Sequence, residues 1–257
     1  KRWKFLSSLT KKIFKCFNAA YPQNNETLKY LKNFEVKNVK FLGNLKFSEK
    51  EKIPENLINY KLKNFLKNKK FWCAASTHDN EEIISAYAHL KLKKKIKNLV
   101  TFIIPRHTQR TGDIINSLKE LNLKIHLHSS KEKINKDTDI YIVNTYGETD
   151  TFFKLSNTVF LGGSLINHGG QNPIEAARNG CRIIYGPNIQ NFKEVYELLN
   201  KNKVSKKVKN LQQLTEAVDL SIKGRKRPKS LEVKIKKLGK KILKETLFEI
   251  ESYLKII

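Results

Sequence analysis

Between residues 71 and 200 the chain repeats one pattern: a short apolar run, a polar loop, then apolar residues at helical spacing. FWCAAS (Phe71 to Ser76) runs into EEIISAYAHLKL, where Ile83, Ile84, Tyr87 and Leu90 recur at that spacing. LVTFII (Leu99 to Ile104) is followed by PRH and a helix IINSLKELN. KIHLH and DIYIVN read as two short strands, with a helix near Glu148 to Leu155 after them. TVFLGG (Thr158 to Gly163) leads through glycines into PIEAARNG, and CRIIYGP (Cys181 to Pro187) into NFKEVYELLN. Strands spaced by helices of this length predict an α/β domain, a parallel sheet covered by helices on both faces. Ligands of such sheets gather beyond the carboxyl ends of the strands. Four polar clusters fall there, STH after Ala75, PRH after Ile104, GGS after Leu161 and GPNIQNF after Tyr185, and together they predict one site.

Upstream, FNAAYPQ and VKFLGNLKF read as strands around a helix ETLKYLKNF, which makes residues 1–48 the end of a preceding domain. Residues 49–70 are Lys-rich, carry Pro54 and suit an interdomain connection; residues 71–228 form the α/β domain; residues 229–257 form one long amphipathic helix. GRKRPK (Gly224 to Lys229) reads as a charged linker before that helix.

The formal charge of +27 is unevenly placed. Residues 1–70 carry 18 basic and 5 acidic side chains and residues 201–257 carry 17 and 6, whereas residues 137–200 carry 4 and 7. Basicity therefore coats the ends and avoids the motif-rich segment. Either the lysines are a solvated coat or they face an anionic partner, for which an anionic membrane surface qualifies. No specific nucleic acid is expected, since no aromatic RNA-binding motif, zinc-finger spacing or Arg-rich recognition helix is present. The longest apolar runs fall far short of the ~20 residues a spanning helix needs. Three widely spaced cysteines without a CxxC indicate neither a disulfide framework nor a thiolate metal site, and fit a reducing compartment. Met is absent from all 257 residues, so the sequence is expected to be part of a longer protein.

The densest chemistry lies in FLGGSLINHGGQNPIEAARNGCRIIYGPNIQNF, Phe160 to Phe192. Asn172 suits an N-cap, Pro173 the first helical position and Glu175 the third, a capping box. Gly169 and Gly170 leave backbone N–H groups open before the helix's positive end, which favours an anion such as phosphate. The alternative is a tight strand-turn-helix in which Glu175 only caps. Neither GxGxxG nor GxxxxGK[ST] is present, so neither NAD nor a P-loop nucleotide is indicated. His107 and His168 have no partner at metal-ligand spacing, and no metal or other cofactor is expected. Ser164 lacks hydrolase partners, and GGS is not the GxSxG elbow.

These motifs resemble those of the Kdo (3-deoxy-D-manno-octulosonic acid) transferases of lipopolysaccharide synthesis. The resemblance runs through GNLKF (Gly43 to Phe47), WCAASTHDNEE (Trp72 to Glu82), IIPRH (Ile103 to His107), YGE (Tyr146 to Glu148), GGSLINHGGQNPIEAA and GPNIQNF. It implies a GT-B glycosyltransferase with a complete carboxy-terminal Rossmann-like domain that binds the donor CMP-Kdo, preceded by the tail of an amino-terminal domain. The acceptor would be a lipid A precursor, met at the cytoplasmic face of the inner membrane by a peripheral or amino-terminally anchored enzyme. Such enzymes typically need no metal.

By the same resemblance Gly162, Gly163, Ser164, Gly169, Gly170, Gln171, Asn172 and Asn191 would surround the donor phosphate and Kdo. Glu175 would hold the ribose hydroxyls; Arg106 and the turn Tyr146, Gly147 and Glu148 would border the cytosine; Lys46, Ser76, Thr77 and His78 would face the cleft near the sugar; and His107 would also bind the donor. Two positions depart from the commonest family form: Asn80 stands where Gly is usual, and Gln171 where His is usual. Asn tolerates a left-handed turn and Gln keeps a polar side chain, so neither is expected to abolish donor binding. The family's general base is expected upstream of residue 1 and is assigned to no residue here. The competing readings are a GT-B enzyme using a UDP-sugar and a nonenzymatic basic protein binding nucleic acid or anionic lipid.

Overall fold

The computed structural model describes residues 7–48, 60–224 and 229–254, which divide into two units. One comprises residues 1–53 and 233–257, the other residues 54–232.

The second unit is built on seven parallel strands. In chain order its elements are α3 (Tyr60–Leu66), β1 (Lys70–Thr77), α4 (Glu81–Lys93), β2 (Leu99–Pro105), α5 (Thr111–Leu118), β3 (Ile125–Leu127), β4 (Ile140–Ile142), α6 (Thr149–Leu155), β5 (Thr158–Leu161), α7 (Ile174–Arg178), β6 (Arg182–Tyr185), α8 (Lys193–Lys201), β7 (Ser205–Lys207) and α9 (Leu211–Lys223). Within the sheet the order is β3-β4-β2-β1-β5-β6-β7. From β1 the chain first builds outward through β2, then crosses back to lay β5 on the other side of β1. The crevice beyond the ends of β1 and β5 is therefore the topological switch point, where open α/β sheets bind ligands.

Parallel register puts Trp72, Ala74, Ile103, Ile140, Ile142, Phe160 and Ile184 on one sheet face. They pack beneath Ala86, Ala88 and Leu92 of α4, Ile114 and Leu118 of α5, and Leu214, Ala217 and Val218 of α9. The other face carries Phe102 and Tyr141 against Phe152 of α6, and Tyr185 against Tyr196 of α8 at 4.3 Å between ring centroids. Both sheet faces are thus covered, and the central strands are buried and mostly apolar along their length.

Several sequence expectations need correction. In α4 the positions at helical spacing are not the buried face: Ile83 and Ile84 are half-buried and Tyr87 is exposed, while Glu81, Glu82, Ser85, Ala86, Ala88, His89 and Leu92 are buried. Small residues let this helix lie close on the sheet, and its polar residues find internal partners. β7 and α9 come from the stretch 201–223, for which the sequence pattern predicts nothing. SKK carries no apolar alternation because β7 is an edge strand. Residues 60–66 of the expected connection form α3, whose Leu62 and Leu66 are buried and which groups with the second unit. The rest of that connection, residues 49–59, and residues 225–228 of the GRKRPK linker lie outside the described residues.

In the first unit the expected helix is α2 (Asn25–Asn33), started by the Asn24 side chain accepting from Thr27 N–H at 2.7 Å. An additional helix, α1 (Ser7–Lys15), precedes it. The two expected strands shrink to a single parallel bridge, Ala20 to Val39, and Leu45–Phe47 is a 3-10 turn. The long terminal helix α10 (Lys229–Leu254) is present, and from Val233 onward it groups with this unit. Its stripe Ile235, Ile242 and Thr246 is buried, Glu249 takes Lys40 at 2.8 Å, and Gly43, at φ +114°, lies so close to Ile242 that a Cβ would meet it at 2.8 Å. No described helix is long and apolar enough to cross a membrane.

Candidate functional site

β1 ends on a bulge. Its register against β2 shifts between Ala75 and Thr77, Ser76 takes φ +52°, and the chain turns through His78 and Asp79 to Asn80 at φ +69° before α4 begins. Asn80 therefore adopts the left-handed turn expected of it. Across the switch point β5 ends at Leu161, and Gly162 is squeezed against the β1 turn: a Cβ there would meet Ser76 O at 2.5 Å and Thr77 Cα at 2.6 Å.

The two turns are joined by a side chain the sequence pattern does not single out. Glu81, fully buried at the start of α4, accepts the N–H groups of His78 (3.0 Å), Gly163 (2.6 Å), Ser164 (3.1 Å) and Leu165 (3.0 Å). Burial pushes its pKa up, and the four backbone donors pull against that rise. Three consecutive N–H groups converging on one anion, with Gly163 at φ +63°, form a nest. Here the chain's own carboxylate fills it.

Ser164 is likewise spent internally. Fully buried, its hydroxyl donates to Leu161 O and accepts Gly186 N–H at 2.8 Å, and its carbonyl accepts Asn188 N–H at 3.0 Å. It fastens the β5 loop to the GPN loop after β6. Gly163 O accepts Gly170 N–H at 2.7 Å, and Gln171 O accepts the Tyr196 hydroxyl at 3.0 Å, so the GGQN turn hangs from the same framework. Gly169, at φ +99°, packs on Asn191, whose N–H donates to Gly169 O at 3.1 Å.

Helix α7 starts one residue later than the capping box requires. Its cap position is Pro173, and Asn172 Oδ1 accepts Ile174 N–H at 3.1 Å in a short Asx turn. Glu175, in its first turn, is exposed.

His78 gathers the remaining polar groups. Its ring lies 3.9 Å from His168 and 5.8 Å from His107 between centroids, and its Nε2 is 3.0 Å from Gln171 Nε2. Burial, then His168, His107, Arg110 and Arg106, push its pKa down to about 4, so it is neutral at pH 7. Arg110 is held on Glu82 at 3.0 Å and Asp79 at 3.3 Å, which fixes the PRH loop to the start of α4. Arg106, His107 and Tyr146 are exposed, and the Tyr146 hydroxyl donates to Gln109 at 3.3 Å. Gly147 is exposed at φ +85°, while Glu148 is half-buried with its carboxylate 4.0 Å from His128 Nε2. The Thr77 hydroxyl is buried with no hydrogen-bond partner among the described residues, and Ser76 is half-buried beside it. Lys46 lies in the first unit, in the 3-10 turn Leu45–Phe47. Among the described residues no cluster of three His, Cys, Asp or Glu side chains is placed to hold a metal.

A doubly wound parallel domain whose switch point is lined by glycine turns has the Rossmann-like architecture that the halves of GT-B glycosyltransferases share. The relatives narrow this further, for the chain is similar to 3-deoxy-D-manno-octulosonic acid transferases. It is 31% identical to that of Rickettsia bellii over 215 residues, 82% of this chain and 50% of the relative. To that of Haemophilus influenzae it is 34% identical over 128 residues, 50% of this chain and 30% of the relative. The chain spans about half the length of the first of these relatives. Among solved structures, the C-terminal CMP-Kdo binding domain of WaaA from Acinetobacter baumannii shares the fold, with TM-score 0.59 and 24% identity, covering 70% of this chain and 91% of that one. No protein-family profile matches.

Proposed function

We propose that this chain is the donor-binding half of a Kdo transferase, taking CMP-Kdo at the β1/β5 switch point for transfer to a lipid A precursor. The observation that carries the reading is the crevice itself: the STH, GGS, GGQN and GPN turns, drawn from three strand ends, are fastened into one framework there. The similarity to Kdo transferases supports the sugar, and that to the CMP-Kdo binding domain of WaaA supports the nucleotide.

In this reading Glu175, exposed beside the turn, accepts the ribose hydroxyls. Arg106, His107 and the Gly147–Glu148 turn border the base. Gly169 to Asn172, with Asn191, face the phosphate and sugar, and His78 meets the donor as a neutral imidazole. An inverting transfer needs a base within hydrogen-bond reach of the acceptor hydroxyl. That base is assigned to none of the described residues.

The test is calorimetric titration with CMP and UMP. CMP is expected to bind more tightly, and a preference for UMP would replace this donor with a UDP-sugar. Glu175→Gln is expected to weaken CMP by at least about tenfold, the loss of charge-assisted hydrogen bonds worth about 1.5–3 kcal/mol, with thermal stability nearly unchanged. Equal affinities would leave Glu175 a purely structural residue.

The acceptor places the enzyme at the cytoplasmic face of the inner membrane, in peripheral contact with it. The first unit supports this, since Lys234, Lys237 and Lys240 on α10 are exposed, as are Leu247, Phe248 and Leu254 on the same helix. The chain is expected to float with phosphatidylglycerol vesicles at low salt and to be released as salt rises. If it ignores the vesicles, the lysines are only a solvated coat.

A further inference from the structure

The resemblance sets the GGS loop around the donor phosphate, yet in this chain the amides of Gly163, Ser164 and Leu165 are already taken. All three donate to the Glu81 carboxylate, which also accepts the His78 amide, so one buried side chain ties the β1 turn to the β5 loop across the switch point. Its two oxygens divide the work: Oε2 takes His78 and Gly163, and Oε1 takes Ser164 and Leu165.

The tie extends to the turn beyond. Gly163 returns its carbonyl to Gly170 N–H at 2.7 Å, and His78 sits 3.0 Å from Gln171, so both ends of the tie touch the GGQN turn. Nothing else in the second unit offers Glu81 a cation at hydrogen-bond distance among the described residues; its charge is met by peptide dipoles alone.

We infer that Glu81 is a positioning residue of the donor site: its carboxylate fills the nest of the GGS loop, and through Gly163 and His78 it sets the GGQN turn that meets the donor's phosphate. This rests on the donor reading above and adds a division of labour to it. The GGS amides hold the site together, and the phosphate is met by the neighbouring turn.

Glu81→Gln isolates the role, since it keeps the side chain's shape but turns one acceptor oxygen into an N–H₂ donor facing two backbone N–H groups. Three measurements are combined: amide hydrogen exchange at Gly163, Ser164 and Leu165, and calorimetric affinities for CMP and for cytidine. The expected result is faster exchange at those three amides, CMP weakened by at least about tenfold, and cytidine changed by less than about threefold, because only the phosphate-facing turn is released. Uniform loss of CMP and cytidine would overturn the proposal in favour of general distortion. Unchanged exchange, or unchanged CMP affinity, would also overturn it.

If the Gln variant does not fold, Glu81→Asp serves, since it keeps the charge one methylene short of the loop. Its CMP affinity is expected to fall as its loop amides lose protection, and retention of either overturns the proposal. The two readings fail separately. A wild-type chain that binds UMP in place of CMP rejects the cytidine donor, whereas a wild type that binds CMP no better than Glu81→Gln does rejects only the role of Glu81.

Discussion

A Gly186→Ala chain is expected to lose about 3 kcal/mol of stability or more, a large effect for one methyl group. Gly186 ends β6 against the GGS loop, and a Cβ there would collide with the carbonyl of Ser164 and approach Leu165 N at 2.5 Å. These are backbone atoms and cannot swing aside as a side chain would. They are also held on the far side, since Ser164 and Leu165 donate to Glu81 and Ser164 accepts from Asn188. The loop can yield only by breaking those hydrogen bonds. Urea unfolding of the variant beside the wild type reads the change; a loss below about 1 kcal/mol would mean that the loop relaxes freely and that the framework described here is soft. CMP binding is expected to fail with it.

The second large effect concerns the opposite edge of the sheet. Asp139 is buried just before β4 and accepts the Lys93 ammonium and the Lys124 N–H at 3.0 Å, with His89 Nε2 at 3.4 Å. His89 is itself anchored, its Nδ1 lying 2.9 Å from the Thr101 hydroxyl of β2. Burial alone would raise the carboxyl's pKa, but His89, Lys93 and the Lys124 amide outweigh it and hold it well below the usual range. Asp139→Ala leaves the buried imidazole and the Lys124 amide without their acceptor and is expected to cost about 2–4 kcal/mol at pH 7.

The sign of the pH dependence follows from the depressed pKa. The carboxylate's contribution is complete above its unfolded value of about 3.9 and is lost as pH falls toward the folded value. The gap between wild type and Asp139→Ala is therefore expected to be constant from pH 7 to about 5 and to narrow below about 4. A gap that persists undiminished at pH 2 would assign the loss to packing.

The contrast between Glu175 and Glu81 shows where sequence pattern stops. Glu175 draws notice because it follows glycines and a Pro near a helix start, a local signature. Glu81 stands near the end of the WCAASTHDNEE motif at the head of a helix, yet periodicity and charge read it as a solvated first-turn acid and give it no role. Its partners Gly163, Ser164 and Leu165 are backbone amides 82 to 84 residues away, and backbone partners leave no trace in residue identity. The strands β1, β2, β5 and β6 are legible as apolar runs because both of their faces are buried. β7 is not, because an edge strand of Ser and Lys keeps no such run. FNAAYPQ and VKFLGNLKF look like strands by composition, yet they form one bridge between them, Pro22 offering no N–H and Gly43 turning at φ +114°. The helix start at Ile174 in place of Pro173 displaces Asn172 from capping to an Asx turn, a difference of one residue that periodicity does not resolve.

The first unit is assembled from two separate stretches, residues 1–53 and 233–257, while residues 54–232 make up the second. During synthesis the ribosome delivers α1 and α2 well before the buried stripe of α10. Phe47, whose carbonyl lies against Gly239 of α10, must therefore wait for that helix while some 180 residues of intervening chain emerge and the parallel sheet forms. The first unit therefore finishes after the second, and that interval leaves its half-built core open to chaperones and proteases.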